Sequence, residues 1–257
     1  IPYFHSFAKR IQAHDCGLIC QISHLGRRTT WNAADWLPVI APSRVREPAH
    51  RGFPRKMDID DIDRVIGYYA DATWRCMEGG LDGVEILSHG HLPGQFLSPD
   101  TNQRTDGYGG SFTNRFRFTA ELLETVRERV GPDFIVGVRM VAQEGTPDGQ
   151  NLDEGILAAR AIEASGLADY LCINHGHIAT DHGLANHLPG MGLRLAPWIN
   201  SVAAVRREVS MPLIHACRLA DVATARNAIT EGIVDLVGMT RAHIANPHLV
   251  NKLKAGR

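Results

Sequence analysis

Short apolar runs that alternate with longer amphipathic segments are the feature that most constrains the fold of this chain of 257 residues. The short runs are rich in Val, Ile and Leu, and the longer segments carry apolar residues every three or four positions, as helices do. Such alternation predicts βαβ units and a parallel sheet whose two faces are covered by helices. We predict strands at 17–23, 82–87, 134–140, 169–174, 211–217 and 234–240. We predict helices at 116–130, 155–165, 199–209 and 222–230.

Polar side chains gather where the predicted strands end, and this decides between the two common parallel architectures. A doubly wound sheet normally has a GxGxxG turn after its first strand, and the sequence has no such turn there. A (β/α)8 TIM barrel instead places functional residues at the carboxyl ends of many strands. We therefore predict an α/β fold of the TIM-barrel type. The polar residues at the strand ends are Gln21, His24, His89, His91, Arg139, Asn174, His175, His177, Arg218 and Arg241.

The predicted strands number two fewer than an eight-stranded barrel needs. Residues 1–14, IPYFHSFAKRIQAH, have the spacing of a helix and contain no further strand. No linker, charge block or low-complexity segment divides the chain, so we expect one domain over residues 1–257. We expect this sequence to be an internal portion of a longer barrel enzyme, without barrel strands 1 and 2.

Composition and charge exclude several classes of function. A formal net charge of −1 provides no electrostatic attraction for nucleic acid or for an anionic membrane. No apolar run approaches the roughly 20 residues that span a bilayer. The five cysteines are scattered and form no CxxC pair, which predicts buried thiols in a reducing compartment. We therefore expect a cytoplasmic protein that acts on a small molecule.

Several segments carry a resemblance to a known family. QISHLGR (21–27), the loop at 89–99 and TNQRTDGYGGSFTNRFRF (101–118) resemble the old yellow enzyme family of FMN-dependent barrels. They are most similar to the branch that contains trimethylamine dehydrogenase and dienoyl-CoA reductase. Residues 26–50, with the PGMG and VGMTRAHIANPH segments that follow later in the chain, resemble the N-methylproline demethylases of that branch.

The resemblance implies FMN as the cofactor and barrel strands 3 to 8 for this chain. It also implies parts of a longer parent chain that lie outside this sequence, namely a segment that holds a 4Fe-4S cluster and a domain for FAD or NAD(P)H. A homo-oligomer and an electron-transfer partner are further expectations of the same kind.

The resemblance also assigns cofactor-binding residues. Gln21 is expected to hydrogen-bond the flavin pyrimidine edge, since its amide offers both a donor and an acceptor. Arg139 is expected beside the flavin N1 region, where a guanidinium stabilises the negative charge of the reduced form. The alternative for Gln21 is a side chain that only hydrogen-bonds the neighbouring loop backbone, and the alternative for Arg139 is a structural ion pair. For the phosphate-binding arginines named next, which form the expected phosphate corner, the alternative is an exposed surface position. The expected phosphate-binding residues are Arg218 and Arg241 with the backbone amides of Cys217 and Thr240.

His89 and His91 follow the second predicted strand and are the expected catalytic residues. In the ene-reductases of the family, a His three positions before the first of this pair helps to clamp a substrate carbonyl, and a Tyr two positions after it donates the proton. Here these positions hold Ile86 and His91, which argues against enone reduction. Histidine can accept a proton near neutral pH, as the oxidation of a protonated amine requires. The alternative is a solvated loop with two incidental histidines.

Other residues near the strand ends are candidates for substrate binding. His24 follows Gln21 closely, and Asn174 and His175 could bind a substrate carboxylate or water. Trp31, in the long loop after the first strand, could present an aromatic face to an alkylammonium or could pack the loop. No metal is expected, because the His spacings lack a nearby Cys or carboxylate partner.

The RTDGYGGSFTNR block is interpreted as structural. Gly107, Gly109 and Gly110 are expected to adopt positive φ in tight turns. Arg104 and Asp106 are expected to hold the loop by an ion pair and not to act in catalysis.

The expected activity is the FMN-dependent oxidative demethylation of a small N-methyl amino acid or amine. Two other interpretations stay open. One is an NAD(P)H-linked ene-reductase or dienoyl-CoA reductase, and the other is a non-catalytic barrel remnant that holds no flavin.

Overall fold

A parallel sheet forms the centre of the structure, a computed structural model that describes residues 1–29 and 39–256. The strands are β1 (Ile19–Ile22), β2 (Ile40–Ala41), β3 (Arg55–Lys56), β4 (Gly83–Leu87), β5 (Ile135–Val141), β6 (Tyr170–Asn174), β7 (Leu213–His215) and β8 (Leu236–Val237). The helices are α1 (Pro2–Gln12), α2 (Ile59–Glu78), α3 (Leu92–Leu97), α4 (Phe112–Val130), α5 (Leu152–Ser165), α6 (Asp181–His187), α7 (Ile199–Arg206), α8 (Val222–Thr230), α9 (Thr240–Ala245) and α10 (Leu249–Lys254). One turn of 3-10 helix covers Gly26–Arg28.

The main sheet has the strand order β1-β4-β5-β6-β7-β8, and each neighbouring pair is parallel. Each of the six predicted strands overlaps one of these strands, and the short strands β2 and β3 pair separately. The predicted helix at 222–230 is found as α8, and the helical interpretation of the first residues is confirmed by α1. The α/β class with a parallel sheet is therefore confirmed.

The central strands are apolar because both of their faces are buried. Strands β4 and β6 are buried at every position, as expected for a covered parallel sheet. Their side chains Val84, Ile86, Leu171 and Ile173 belong to the hydrophobic core. One polar residue of β4, Glu85, is buried with them, and a buried carboxylate needs partners.

The longest helix, α2, is absent from the sequence-based prediction. It begins with a capping box, in which Asp61 N donates to Asp58 Oδ1 at 2.8 Å and Asp58 N donates to Asp61 Oδ2 at 3.2 Å. Its buried face includes Ile62, Val65 and Tyr69. The acidic residues of the first turn interrupt the apolar spacing, which explains why the pattern was not recognised as helical.

Two predictions from composition can be compared with the structure. All five cysteines are free, and Cys76, Cys172 and Cys217 are buried. The prediction of buried thiols is wrong for Cys16, which is exposed, and Cys20 is only half-buried. No helix within residues 1–29 and 39–256 is both long and apolar enough to cross a bilayer.

The glycines of the 101–118 segment act differently from the prediction. Gly110 has a φ of 77°, whereas Gly107 and Gly109 do not have positive φ, so the prediction is wrong for these two. Gly109 instead permits a close approach of backbone to backbone. A Cβ atom at this position would lie 2.3 Å from the carbonyl oxygen of Arg104.

Arg104 holds the same segment to the preceding loop. Its Nε and Nη2 donate to Oδ1 and Oδ2 of Asp106 at 2.9 and 2.7 Å, which confirms the predicted ion pair. Its Nη1 donates to the carbonyl oxygens of Pro42 and Met57 at 3.0 and 2.6 Å. The buried guanidinium therefore joins the loop after α3 to the chain between β2 and α2.

We expect Arg104→Lys to lower the free energy of unfolding by about 2–4 kcal/mol, because one ammonium cannot replace a bidentate ion pair and two carbonyl contacts. Denaturant unfolding followed by circular dichroism measures this change. Arg117→Lys is the matched control, since Arg117 is exposed and its Nε hydrogen-bonds only the Gly107 carbonyl; its loss should stay within about 0.5 kcal/mol. Equal losses at both positions would contradict the prediction.

Candidate active site

Three side chains from neighbouring strands of the sheet, β1, β5 and β6, meet at Glu85 of β4. Gln21 Nε2 donates to Glu85 Oε1 at 2.6 Å, and the Tyr170 hydroxyl donates to Oε2 at 3.2 Å. Nη1 of Arg139 lies 3.8 Å from Oε1. The two residues predicted to face the flavin ring, Gln21 and Arg139, thus share a buried partner that sequence analysis missed. A Glu inside the apolar run GVEIL is the signal that could have identified it.

Arg139 is also held from β6. Its Nη1 lies 3.6 Å from Sγ of Cys172, and burial raises the pKa of that thiol to about 12, so the sulfur stays uncharged. The amide of Asn174, with its oxygen toward the donor-only guanidinium, lies 3.0 Å from Nε and 2.8 Å from Nη2. Asn174 is therefore buried against Arg139, and its role as a substrate ligand stays a prediction.

His89 and His91 lie between β4 and α3, and their rings stack with centroids 6.3 Å apart. His91 is half-buried; its Nδ1 contacts the Ser23 hydroxyl, and its Nε2 lies 3.5 Å from Nη1 of Arg28. His89 is buried, and its Nδ1 has no hydrogen-bond partner among the described residues. The structure therefore does not support the interpretation of two incidental, solvated histidines.

A third imidazole, His187 at the end of α6, was not identified from the sequence. Its ring centroid lies 4.3 Å from that of His89. Its Nδ1 lies 2.9 Å from the carbonyl oxygen of His175. Because a carbonyl only accepts, Nδ1 carries the proton and Nε2 is left as an acceptor. No predicted strand ends next to His187, so its position at the site is visible only in three dimensions.

The remaining candidates for substrate binding differ in position. The backbone N–H of His24 donates to the Tyr69 hydroxyl at 2.9 Å, and His24 Nδ1 accepts from Gly26 N at 3.0 Å. His175 is buried and stacks on Trp198, with centroids 3.7 Å apart. Trp31 lies outside the described residues.

Burial keeps the imidazoles of this site uncharged at neutral pH. Removal from water lowers the pKa of His91 to about 4, with a further contribution from the Arg28 cation. The pKa of His175 is also lowered to about 4, and those of His89 and His187 are lowered for the same main reason. Among the described residues, no three His, Cys, Asp or Glu side chains converge as metal ligands.

A cavity of about 360 Å³ opens at the ends of β7 and β8 and is lined by Arg139, Arg218, Thr240 and Arg241. Arg218 has a φ of 54°, and its buried Nε has no partner among the described residues. Cys217 lies beside the cavity, with its thiol 3.8 Å from the His187 carbonyl oxygen. The predicted phosphate corner is thus a cationic pocket with a free donor.

One segment, residues 187–191, connects this pocket to the histidines. Nη1 of Arg241 donates to the Pro189 carbonyl at 2.8 Å, and Nη2 of Arg218 donates to the Met191 carbonyl at 3.3 Å. His187 is the first residue of the segment. Two of the arginines that line the pocket therefore also hold the chain that carries the third imidazole.

Comparisons with known proteins identify the family. The sequence profile of the NADH:flavin oxidoreductase / NADH oxidase family matches residues 1–257. The chain belongs to this family. It is 47% identical over 258 residues to a multifunctional alkene reductase/demethylase from Caballeronia cordobensis, covering 100% of this chain and 38% of the relative. It is 46% identical over 253 residues to a probable N-methylproline demethylase from Rhizobium meliloti (strain 1021), covering 98% and 37%.

A solved structure supports the fold of this family member. The complex of 2-naphthoyl-CoA reductase with 2-naphthoyl-CoA superposes with a TM-score of 0.90 at 28% identity, covering 99% of this chain and 40% of that chain. The predicted TIM-barrel class is therefore confirmed, with the six-stranded sheet as part of the barrel. The chain spans about 38% of the length of the first of these relatives.

The residues of this flavin oxidoreductase-family chain fit an FMN ligand. A phosphate group suits the cavity that Arg218 and Arg241 line, because guanidinium donors match phosphate oxygens and a buried Nε is left unpaired. The Nε2 of Gln21 donates to Glu85, so the amide oxygen is left as an acceptor for a ring N–H. The charge and the donor set of both regions are compatible with the cofactor that the family implies.

We expect the free energy of unfolding to fall as the pH drops from about 6.5 to about 4, because unfolded imidazoles take up protons in this window and the buried ones with a pKa of about 4 do not. His175→Phe keeps a ring on Trp198 and removes one titrating group, so the fall should become shallower. Urea unfolding at a series of pH values measures both slopes. Identical slopes in the two proteins would contradict the prediction.

Proposed function

We propose that this chain forms the FMN- and substrate-binding part of an oxidoreductase that oxidatively demethylates a small N-methyl amino acid or amine. The observation that carries the proposal is His91, a half-buried imidazole held between Ser23 and Arg28, at the position where the family's ene-reductases have a Tyr proton donor. A neutral imidazole accepts protons, whereas alkene reduction needs a donor. The names of the relatives at 47% and 46% identity, a demethylase in each case, support the proposal.

FMN would bind along the carboxyl ends of the strands. Gln21 and Arg139 would face the pyrimidine edge of the ring, held in place by Glu85. The phosphate-binding set would be Cys217, Arg218, Thr240 and Arg241. When bound, FMN supplies the two-electron acceptor for the hydride of the N-methyl group.

His89 and His91 would accept the proton of the amine. A tertiary amine is protonated at neutral pH, and its lone pair must be freed before the methyl carbon can give up a hydride. A neutral imidazole within hydrogen-bonding reach takes this proton. Loss of the hydride leaves an iminium ion, and water adds to its carbon to release formaldehyde. In balance, the N-methyl amine and water give the demethylated amine, formaldehyde, two electrons and two protons.

We expect His89→Asn and His91→Asn to slow flavin reduction by N-methylproline about 10²- to 10⁴-fold, the range typical for loss of an acid–base group. Anaerobic mixing of the full-length holoprotein with the amine, followed by bleaching of the flavin absorbance, measures the rate. His14→Asn is the control, because His14 is exposed just after α1 and is distant in sequence from His89 and His91. A wild-type flavin that stays oxidised with the amine would contradict the function itself.

We expect Arg218→Met and Arg241→Met to weaken FMN binding about 10- to 100-fold, because each removes a charge-assisted contact to the phosphate. Fluorescence titration of the flavin-free protein with FMN measures the affinity, and binding of riboflavin, which has no phosphate, should change far less. Arg226→Met, at an exposed position of α8, serves as the control. A wild-type protein that takes up no FMN would favour the interpretation as a non-catalytic barrel remnant.

Alkene reduction is the second candidate function, because the relative at 47% identity is named both alkene reductase and demethylase. The two activities are separated by the direction of electron flow. A flavin that stays oxidised with N-methylproline, but is reduced by NADPH and reoxidised by 2-cyclohexenone, would establish the reductase. The activity proposed first predicts the opposite pattern with the amine.

Other expectations concern the whole protein and stay proposals. We propose a 4Fe-4S cluster and an FAD or NAD(P)H domain in the longer chain, together with a homo-oligomer and an electron-transfer partner. They rest on the resemblance to the amine dehydrogenase branch, and this chain spans about 38% of its first relative.

A further inference from the structure

Arg28 is a half-buried cation at the site whose hydrogen bonding is incomplete. It ends the 3-10 turn Gly26–Arg28, which follows β1. Its Nε lies 3.7 Å from Oε1 of the fully buried Glu47, yet neither of these two atoms has a hydrogen-bond partner among the described residues. Its Nη1 reaches Nε2 of His91 at 3.5 Å. The guanidinium therefore lies beside the loop that carries His89 and His91, and its Nε is an unused hydrogen-bond donor.

The contact with Arg28 decides which nitrogen of His91 can accept a proton. A guanidinium only donates, so His91 Nε2 faces it as an acceptor, and Nδ1 carries the proton toward Ser23. The lone pair that a substrate amine would need is thus directed at a cation. The other imidazoles around His91 belong to His24, His89 and His187, and burial lowers the pKa of each. Arg28 is therefore the one permanent charge in contact with the His91 ring among the described residues.

Arg28 also lines a second cavity, of about 280 Å³. Arg28 lines it together with Glu47, Gly90 and Gln95, so the cavity adjoins the loop that carries both catalytic histidines. A volume of this size suits a small metabolite rather than a large cofactor. A ligand there can reach the unused donors of Arg28.

We propose that Arg28 binds the carboxylate of an N-methyl amino acid, and that this binding draws the guanidinium away from His91 Nε2 and frees it to take the amine proton. A carboxylate is the anion that a guanidinium fork binds best, through two parallel hydrogen bonds. In an α-amino acid only two bonds separate the carboxyl carbon from the amine nitrogen, so an anchored carboxylate places the amine beside the freed imidazole. The inference rests on the proposed function and narrows its substrate class to amino acids.

The test compares two substrates that differ only in the carboxylate, N-methyl-L-proline and N-methylpyrrolidine. The rate of anaerobic flavin reduction divided by the substrate dissociation constant is measured for the full-length holoprotein and for Arg28→Met. We expect the variant to lose about 100-fold for N-methyl-L-proline, as for a lost charged hydrogen-bond pair. N-methylpyrrolidine should be oxidised at an equal or higher rate, because the cation no longer occupies the His91 lone pair.

Two further variants keep the comparison sharp. Arg28→Lys retains a cation near Glu47 and serves if Arg28→Met does not fold; loss of the fork should cost N-methyl-L-proline about 10-fold and N-methylpyrrolidine little. Arg44→Met, at an exposed position after β2, is the matched control and should leave the ratio of the two substrates unchanged.

The outcomes separate the inference from the proposed function. Equal losses for both substrates in the Arg28 variants, or no change in either, would overturn the role of Arg28 while the demethylase activity stands. A wild-type flavin that neither N-methyl compound reduces would overturn the proposed function, and the role of Arg28 with it. A selective loss for the carboxylate-bearing substrate supports both.

Discussion

A buried carboxylate in the middle of a parallel sheet is the constraint around which the site is organised. Glu85 cannot stay among apolar strands without donors, and it obtains them from Gln21, Tyr170 and Arg139 on three other strands. The parallel register places Gln21, Glu85, Gly137 and Tyr170 in one row across four strands, and these contacts depend on that alignment. One consequence is that the amide and the guanidinium are oriented by the fold itself, before any ligand arrives, which is the form of preorganisation that active sites depend on.

The ionisable side chains around this site differ in their charge. The imidazoles are neutral because they are buried, whereas the guanidiniums of Arg28, Arg139, Arg218 and Arg241 remain cationic. Glu85 and Glu47 lie buried beside Arg139 and Arg28. Among the described residues, the pocket at Arg218 and Arg241 has no acidic residue in its lining and is suited to an anionic group. The cavity beside Arg28 has a mixed lining, with the acidic residues Glu47, Asp100, Glu144 and Asp148 as well as arginines, so a carboxylate-bearing ligand there depends on Arg28 in particular.

The sequence predicted those parts of the molecule that follow a regular repeat. Apolar runs located all six strands of the sheet, and the rule that parallel strands end at one edge brought out Gln21, His89, His91 and Arg139. The sequence pattern could not locate His187, because this residue ends a short helix whose position depends on tertiary packing. Nor could the sequence show that Glu85, a polar residue within a strand, is the common partner of Gln21 and Arg139. Helix α2 was not predicted, because the carboxylates of its capping box resemble the acidic residues of a solvent-exposed turn.

The segment from His187 to Met191 couples the pocket of Arg218 and Arg241 to the histidines. The arginines at the phosphate corner donate to its carbonyls, and the imidazole at its first residue packs against His89. An anion that competes for those guanidiniums changes the hold on the segment, and a ligand that shifts the imidazole changes the hold on the guanidiniums. By thermodynamic linkage the two effects are equal in free energy. The affinity for an anion at the pocket of Arg218 and Arg241 and the placement of the His187 imidazole are therefore coupled through residues 187–191.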